Sequence, residues 1–324
     1  MSFVTIVQSR SGAHTFMMSP SWEHFETFLA VMQTGSLSAA ARALQVAQPT
    51  IRRRVEALEA SVGAVLFTRA TTGLVPTDAA NATLPAAEAM AASARAFARL
   101  VSAPNDSDHG TVRVTASQVM GGEVLPDLLE PLLRAKPGLQ LELVTSNRFA
   151  DLLRRDADIA VRMAAPTQAS LVAKKVAVIP VGFFASAAYL SRHPPPKTLR
   201  ALTQHTLVGS DRERGLVQAL TQAGLTISPR DFCFRSDDDL VQLAAVRAGV
   251  GIGVCQVPLA SMRGDLVRVL PQVAVPLETW VVMHEDQRRV QRVRLVFEAL
   301  VAGLTNYVKS SQPTTDPSKR RSSR

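Results

Sequence analysis

Between Ser21 and Val62 apolar residues recur at helical spacing in three short runs. Phe25, Phe28, Leu29 and Met32 form the first, Leu37, Ala40, Ala41 and Leu44 the second, and Ile51, Val55, Leu58 and Val62 the third. That spacing places each set on one face of a helix. Ser21 and Ser36 stand where helix caps belong, and Gly35 ends the first helix. Pro49 fits a first turn, where its missing N–H would have no partner anyway. Only Gln45-Val46-Ala47 separates the second helix from the third, so the pattern predicts a helix-turn-helix. After Gly63, "AVLFTRATTGLVPT" holds two β-prone stretches around Thr71-Thr72-Gly73 and predicts a hairpin. Helical spacing then returns in "DAANATLPAAEAMAASARAFARLV". There Leu84, Ala87, Ala91, Ala94, Ala98 and Val101 make a seam suited to close helix packing, and Pro85 must sit in a first turn or kink the helix.

Pro104 to Gly110 reads as a linker, and from Thr111 the period changes again. Candidate strands are "TVRVTA", "LQLELVT", "DIAVRM", "VGFFAS", "TLVGS", "FCFRS", "GIGVC" and "ETWVVM", with helices such as "VLPDLLEPLLRA" and "DDLVQLAAVRAG" between them. Strand–helix alternation predicts parallel sheets with helices on both faces. Roughly 190 residues of it suit two small lobes better than one sheet.

The 324 residues are 47% hydrophobic and 19% charged, an ordinary globular balance. No apolar run is long enough to span a membrane, and "MSFVTIVQSRSGAHTFMMSP" lacks a basic start followed by an apolar core, so neither secretion nor membrane spanning is expected. Met17 or Met18 is an alternative start. Two cysteines exclude a disulfide framework and fit a reducing cytosol. The net charge of +9 is unevenly placed: "KSSQPTTDPSKRRSSR" at the end holds five Lys or Arg against one Asp. That tail has no apolar period and is expected to be disordered. Residues 1–80 carry six basic and five acidic side chains, so a local cluster matters there more than the global charge.

The cluster is Arg52-Arg53-Arg54, in the third helix. At about 100° per residue Arg53 points away from the buried stripe and Arg52 and Arg54 flank it. A surface helix solvated by its charges, with Arg52 paired to Glu56, is the plain alternative. Other constellations carry less. The run Gly249, Gly251, Gly253 follows a helix and enters a strand, the reverse of a dinucleotide loop, so Gly249 is expected to cap a helix. Six histidines lack metal spacing, and no nucleophile or phosphate-loop motif occurs, so no enzyme, metal or cofactor is expected. Cys233 and Cys255 both lie in apolar strand patterns and are expected to be buried and inert.

The stretch from Phe28 to Ala80 resembles the winged helix-turn-helix of LysR-type transcriptional regulators. Gly35-Ser36, Ala40-Ala41, Leu44, Gln48-Pro49, Leu58-Glu59, Gly63, Leu66-Phe67, Arg69 and Pro76-Thr77 carry the likeness, and "DADIAVR" and "AGVGIGV" continue it. Two positions depart: Arg52 stands where Ser or Thr is usual, and Ala80 where Gly is common. The resemblance implies a cytoplasmic DNA-binding regulator, dimeric through its linker helix and often tetrameric. Its C-terminal half would be a two-lobed, parallel α/β domain like a periplasmic binding protein, holding a small effector. RNA polymerase is a further candidate partner. The expected boundaries are an extension at 1–20, the winged helix-turn-helix at 21–77, the linker helix and hinge at 78–110, the effector domain at 111–308 and a basic tail at 309–324. A solute-binding protein without a regulatory role is the alternative.

In a helix-turn-helix the second helix lies in the major groove with its N-terminal residues against base edges. Gln48, Pro49, Thr50, Arg52 and Arg53 occupy that end, and Arg and Gln can read guanine and adenine in two-pronged pairs. Arg54 is assigned to a phosphate or to packing on the first helix, and Ser36 and Ser38 to a phosphate. Arg69 and Thr72 on the hairpin are assigned to the minor groove or backbone. Open parallel sheets bind ligands beyond the carboxyl ends of their strands. That selects Ser117, Gln118, Ser146, Asn147 and Arg162 in one lobe and Ser210, Ser236 and Asp237 in the other, for a polar or anionic effector.

Overall fold

The computed structural model describes residues 20–70, 73–147, 157–166, 171–212 and 215–309. Thr72, the N-terminal extension up to residue 19 and the tail beyond Lys309 lie outside the described residues. The chain divides between Arg95 and Ala96 into two compact units.

The first unit opens with helices α1 (Trp22–Thr34), α2 (Leu37–Ala43) and α3 (Gln48–Val62). Phe28, Val31, Ala40, Ile51, Val55 and Leu58 meet in one core, so the three apolar faces found in the sequence are buried against each other. Val62 is the exception, 46% exposed, because Gly63 at φ 68° turns the chain away beside it. Gly35, at φ 64°, ends α1 by donating to Val31 O (2.8 Å), and Ser36 Oγ accepts from Ala39 N (3.4 Å) to cap α2. The hairpin pairs β1 (Phe67–Ala70) with β2 (Gly73–Pro76), Arg69 opposite Leu74. It is pinned twice to the helices. Leu74 N donates to Gly35 O (2.9 Å), and Glu59 Oε1 accepts from Leu66 N (2.7 Å) and Phe67 N (3.1 Å). A Cβ on Gly73 would lie 2.6 Å from Gly35 O at a φ of 133°, so glycine is required there.

Helix α4 (Asp78–Val101) starts where Thr77 Oγ1 accepts from Ala80 N (3.2 Å), and it runs through Pro85, beyond its first turn. The seam drawn from its sequence is divided. Leu84 and Ala87 pack into the core of the first unit and Ala91 is buried, whereas Ala94, Ala98 and Val101 are exposed. The solvent-facing apolar row is instead Met90, Ala94, Phe97 and Val101, with Phe97 68% exposed.

The second unit is built on β3 (Gly110–Ala116), β4 (Leu139–Thr145), β5 (Ile159–Arg162), β6 (Leu171–Ala185), β7 (Leu207–Gly209), β8 (Phe232–Arg235), β9 (Gly253–Gln256), β10 (Val267–Val269) and β11 (Val275–His284). Its main helices are α5 (Leu125–Ala135), entered through a π-helical turn at Met120–Val124, a short α6 (Ala187–Leu190), α7 (Gly215–Gln222), α8 (Asp239–Arg247), α9 (Val257–Arg263) and α10 (Gln291–Lys309). The large sheet runs β10-β6-β11-β5-β3-β4, with β9 also on β6, and β7 and β8 form a second small sheet. The parallel arrangement expected from the sequence holds for β3 with β4 and β5, and for β7 with β8. The rest is antiparallel, because the long strands β6 and β11 pair with each other and carry β5, β9 and β10 on their flanks. Strand β6 starts ten residues before the segment marked in the sequence. Pro180 hid its length, since proline inside a run argues against a strand; here it faces Pro276, so the missing donors fall on one rung.

Two cores result. One gathers Val112, Val114, Ile159 and Val281 under α5 and α10; the other gathers Phe183, Leu202, Leu220 and Phe232 around the small sheet. The last turn of α4 is fastened to the first of these. Arg99 Nε lies 3.1 Å from Asp158 Oδ2, and the fully buried Arg292 donates to Arg99 O (2.8 Å). The glycine run serves packing: Gly249 turns at φ 81° after α8, and a Cβ on Gly251 would meet Thr206 O at 2.2 Å. Among the described residues no helix is long and apolar enough to cross a membrane, and no group of three His, Cys, Asp or Glu could hold a metal ion. Lys309, assigned to a disordered tail, is the last residue of α10.

Candidate nucleic-acid interface and ligand cleft

Helix α3 buries Ile51, Val55 and Leu58 and leaves Gln48, Pro49, Arg52 and Arg53 exposed, with Thr50 half-buried. Its N-cap, Ala47, offers no side chain to the first turn, so the backbone N–H end of the helix is uncovered by any cap. Ser38 and Arg69 are exposed, and Ser36 is half-buried in its capping role. Among the described residues no ion pair engages Arg52, Arg53 or Arg69, and the Arg52–Glu56 pair is not formed. Arg54 differs: its Nη2 lies 2.5 Å from Glu23 Oε2 on α1, with only 18% of its side chain exposed. Its guanidinium braces α3 against α1.

In the second unit the carboxyl ends of β3, β4 and β5 open on a cavity of about 340 Å³, lined by Ser117, Ser146, Asn147 and Arg162 as the strand order predicted. Arg162 ends β5 and is 7% exposed; its Nη1 donates to Ser146 O (2.8 Å) and its Nη2 to Thr115 Oγ1 (3.0 Å). The guanidinium is thereby fixed across the ends of three strands. Gln118, Ser210, Ser236 and Asp237 do not line the cavity. Gln118 Oε1 accepts from Asp239 N (2.8 Å), fastening the start of α8 to the loop after β3. Asp237 Oδ1 accepts from Asp211 N (3.0 Å) and Arg212 N (2.8 Å), holding a turn. Ser236 Oγ accepts from Asp238 N (3.1 Å), while Asp238 itself caps α8 through Leu240 N (2.8 Å). Ser210 Oγ accepts from Gln242 Nε2 (3.4 Å). Each of the four thus accepts a hydrogen bond from the protein itself, three of them from backbone N–H groups and Ser210 from a side chain.

Residues that the sequence did not single out for the cleft complete the lining: Val119, Met163, Ala164, Val181, Asp239, Gln242, Leu243, Val254, Cys255, Gln256 and Leu277. Most are apolar and come from β6, β9, β11 and α8, elements whose convergence no local pattern announces. Cys255 is buried as expected, and desolvation pushes its thiol up to about 12. Cys233, expected to be buried too, is exposed: β8 has Phe232 facing the core and its neighbour facing out.

A charge network ties α8 to the π-helical turn at Met120–Val124, near enough to Cys255 to act on its thiol. Arg247, on α8, donates to Glu123 Oε1 (2.6 Å) and Oε2 (3.0 Å) and to Asp265 Oδ2 (2.6 Å). Arg263 adds Asp127 at 3.1 Å. The hydrogen bonds from Arg247 hold the Glu123 carboxyl below its ordinary value despite partial burial.

A helix-turn-helix with a cationic outer face, in one chain with an α/β unit enclosing a ligand-sized cleft, defines a ligand-responsive DNA-binding protein. Residues 22–81 match the family model described as a bacterial regulatory helix-turn-helix protein, lysR family, and residues 105–305 match the LysR substrate binding domain. The chain belongs to the LysR family of transcriptional regulators: its helix-turn-helix binds DNA and its C-terminal domain binds an effector. It is 26% identical over 287 residues to the transcriptional activator AaeR of Escherichia coli (strain K12), covering 86% of this chain and 92% of that one. Full-length AphB, a virulence activator of Vibrio cholerae, shares the fold with a TM-score of 0.56 at 22% identity, over 87% of this chain and 99% of that one. Full-length CbnR in complex with its target DNA gives 0.57 at 20% identity, over 88% and 99%.

Proposed function

We propose that this regulator grips its operator with α3 in the major groove, Arg53 and Gln48 reading base edges, and Arg52 neutralising a phosphate. The observation that carries the reading is the contrast within the arginine cluster. Arg54 is held by Glu23, whereas Arg52 and Arg53 project from the exposed face of the same helix. Ser36, Ser38 and Arg69 add backbone contacts on either side. The segment 21–77 is the reader, 78–110 the dimerising helix and hinge, and 111–308 the effector domain. Two readers are paired through the apolar row Met90, Ala94, Phe97 and Val101, since a half-site needs a partner about one helical turn of DNA away. Such dimers, alone or paired into tetramers, work in the cytoplasm beside RNA polymerase. The effector is a small anion or polar metabolite, drawn to the guanidinium of Arg162 at the strand ends.

The test is binding of full-length protein to DNA selected from a random library, on specific and scrambled duplexes at several salt concentrations. Arg53→Ala should cost about 1–3 kcal/mol and relax preference at one base pair. Arg52→Ser should weaken all sequences evenly and lower the salt slope by about one. Wild-type operator affinity in Arg53→Ala defeats this placement of α3.

A further inference from the structure

We propose that the cleft selects a small acid with an apolar body, its anionic head at Ser117 and Arg162 and its hydrocarbon end against Cys255. The inference rests on the reading of this cleft as the effector site and narrows the class of effector that it takes.

The polar groups of the lining are divided by position. Ser117, Ser146, Asn147 and Arg162 follow β3, β4 and β5, three parallel strands that deliver them to one edge. Away from that edge, the two amide side chains are already employed by the protein. Gln242 Nε2 donates to Ser236 O (2.7 Å). Gln256, 7% exposed, accepts from the Tyr307 hydroxyl at Oε1 (2.8 Å), with its Nε2 3.4 Å from Met120 Sδ. A ligand claiming either amide would strand a buried group behind it. Asp239, the acid of the lining, accepts from Asn147 Nδ2 (3.0 Å) at the edge where the strands end.

The lining left for the body of a ligand is apolar and includes Met163, Val181, Leu243, Val254 and Cys255. The Cys255 thiol is uncharged at neutral pH and donates weakly to Gln256 O (3.5 Å), so it presents a small apolar surface. Hydroxyls laid on this wall would lose water and gain no partner, which disfavours sugars and polyhydroxy acids. A guanidinium fixed across the ends of β3, β4 and β5 suits one carboxylate. Cys255 on β9 and Val181 on β6 both line the cavity, so the size of the side chain at 255 changes the room left for a body.

The experiment is calorimetric titration of the full-length protein with straight-chain monocarboxylates from acetate to octanoate, beside gluconate and 1-hexanol. Affinity should rise about fourfold with each methylene until the cavity is full. Gluconate and 1-hexanol should each bind at least tenfold more weakly than hexanoate. Cys255→Leu should shorten the best-bound chain by one or two carbons, and Cys255→Ala should lengthen it by about one, so one folded variant suffices. Gluconate binding as tightly as hexanoate, and weakened by Cys255→Leu, keeps the cleft as the site but overturns the amphipathic class. An unchanged chain-length profile in both variants shows that the acids bind elsewhere and overturns the site as well. No binding by any of the acids overturns the class.

Discussion

The buried pair Arg99–Asp158, inside the second unit, offers a sharp energetic test. Arg99 and Asp158 keep only 8% and 4% of their side chains exposed, and Asp158 Oδ2 also accepts from Arg113 N (2.8 Å). Burial pulls the Arg292 guanidinium below its ordinary range, and the charge of Asp158 opposes that pull. Asp158→Asn keeps an acceptor for the Arg113 amide but leaves the guanidinium of Arg99 buried without its counter-charge. Breaking one partner of a buried pair costs about 3–5 kcal/mol, against a stability of about 5–15 kcal/mol for an ordinary domain. For a unit of this size that lowers the melting temperature by about 6 °C or more. Arg99→Met added to Asp158→Asn removes the stranded charge while the amide bond survives, so the double variant should recover to within about 2 kcal/mol of wild type. Urea unfolding followed by Trp280 fluorescence, in a Trp22→Phe background, isolates the second unit, since the chain has two tryptophans. The reasoning is refuted if Asp158→Asn costs under about 1 kcal/mol, or if the double variant is as unstable as the summed singles.

Phe97→Glu places a charge in the exposed apolar row of α4 and should lower the sedimentation mass of the assembly; an unchanged oligomer at micromolar concentration rejects that row as the contact. Glu123 is held ionised by Arg247, so its contribution is complete above its ordinary pKa of 4.5 and is lost as pH falls through the lower folded value. Thermal melts from pH 7 to 3.5 should therefore show a steeper acid loss in wild type than in Glu123→Gln, which should cost roughly 2 kcal/mol at neutral pH; parallel curves contradict the linkage. Maleimide at pH 7 should label Cys233 and leave Cys255 unmodified until the protein unfolds, as mass spectrometry of the two peptides would read. Equal labelling of the two thiols would contradict the burial of Cys255.

The winged helix-turn-helix was legible because its signals are local. The faces of α1, α2 and α3, the caps at Gly35 and Ser36 and the hairpin around Gly73 each follow from residues within a turn or two of one another. The edge of the cleft was legible for a related reason: strand ends are marked by local pattern, and they delivered Ser117, Ser146, Asn147 and Arg162. The tertiary structure alone decided the partners of the charged residues. Arg54 meets Glu23 across 31 residues, Arg99 meets Asp158 across 59, and Arg247 meets Glu123 across 124. It also decided that Gln118, Ser210, Ser236 and Asp237 brace the scaffold, that Cys233 faces out, and that Val181, Leu243 and Cys255 close one cavity. Periodicity specifies which face of an element is buried. Which surface covers that face depends on how distant elements pair, and Pro180 opposite Pro276 shows how a pairing can sustain a strand that its own residues argue against.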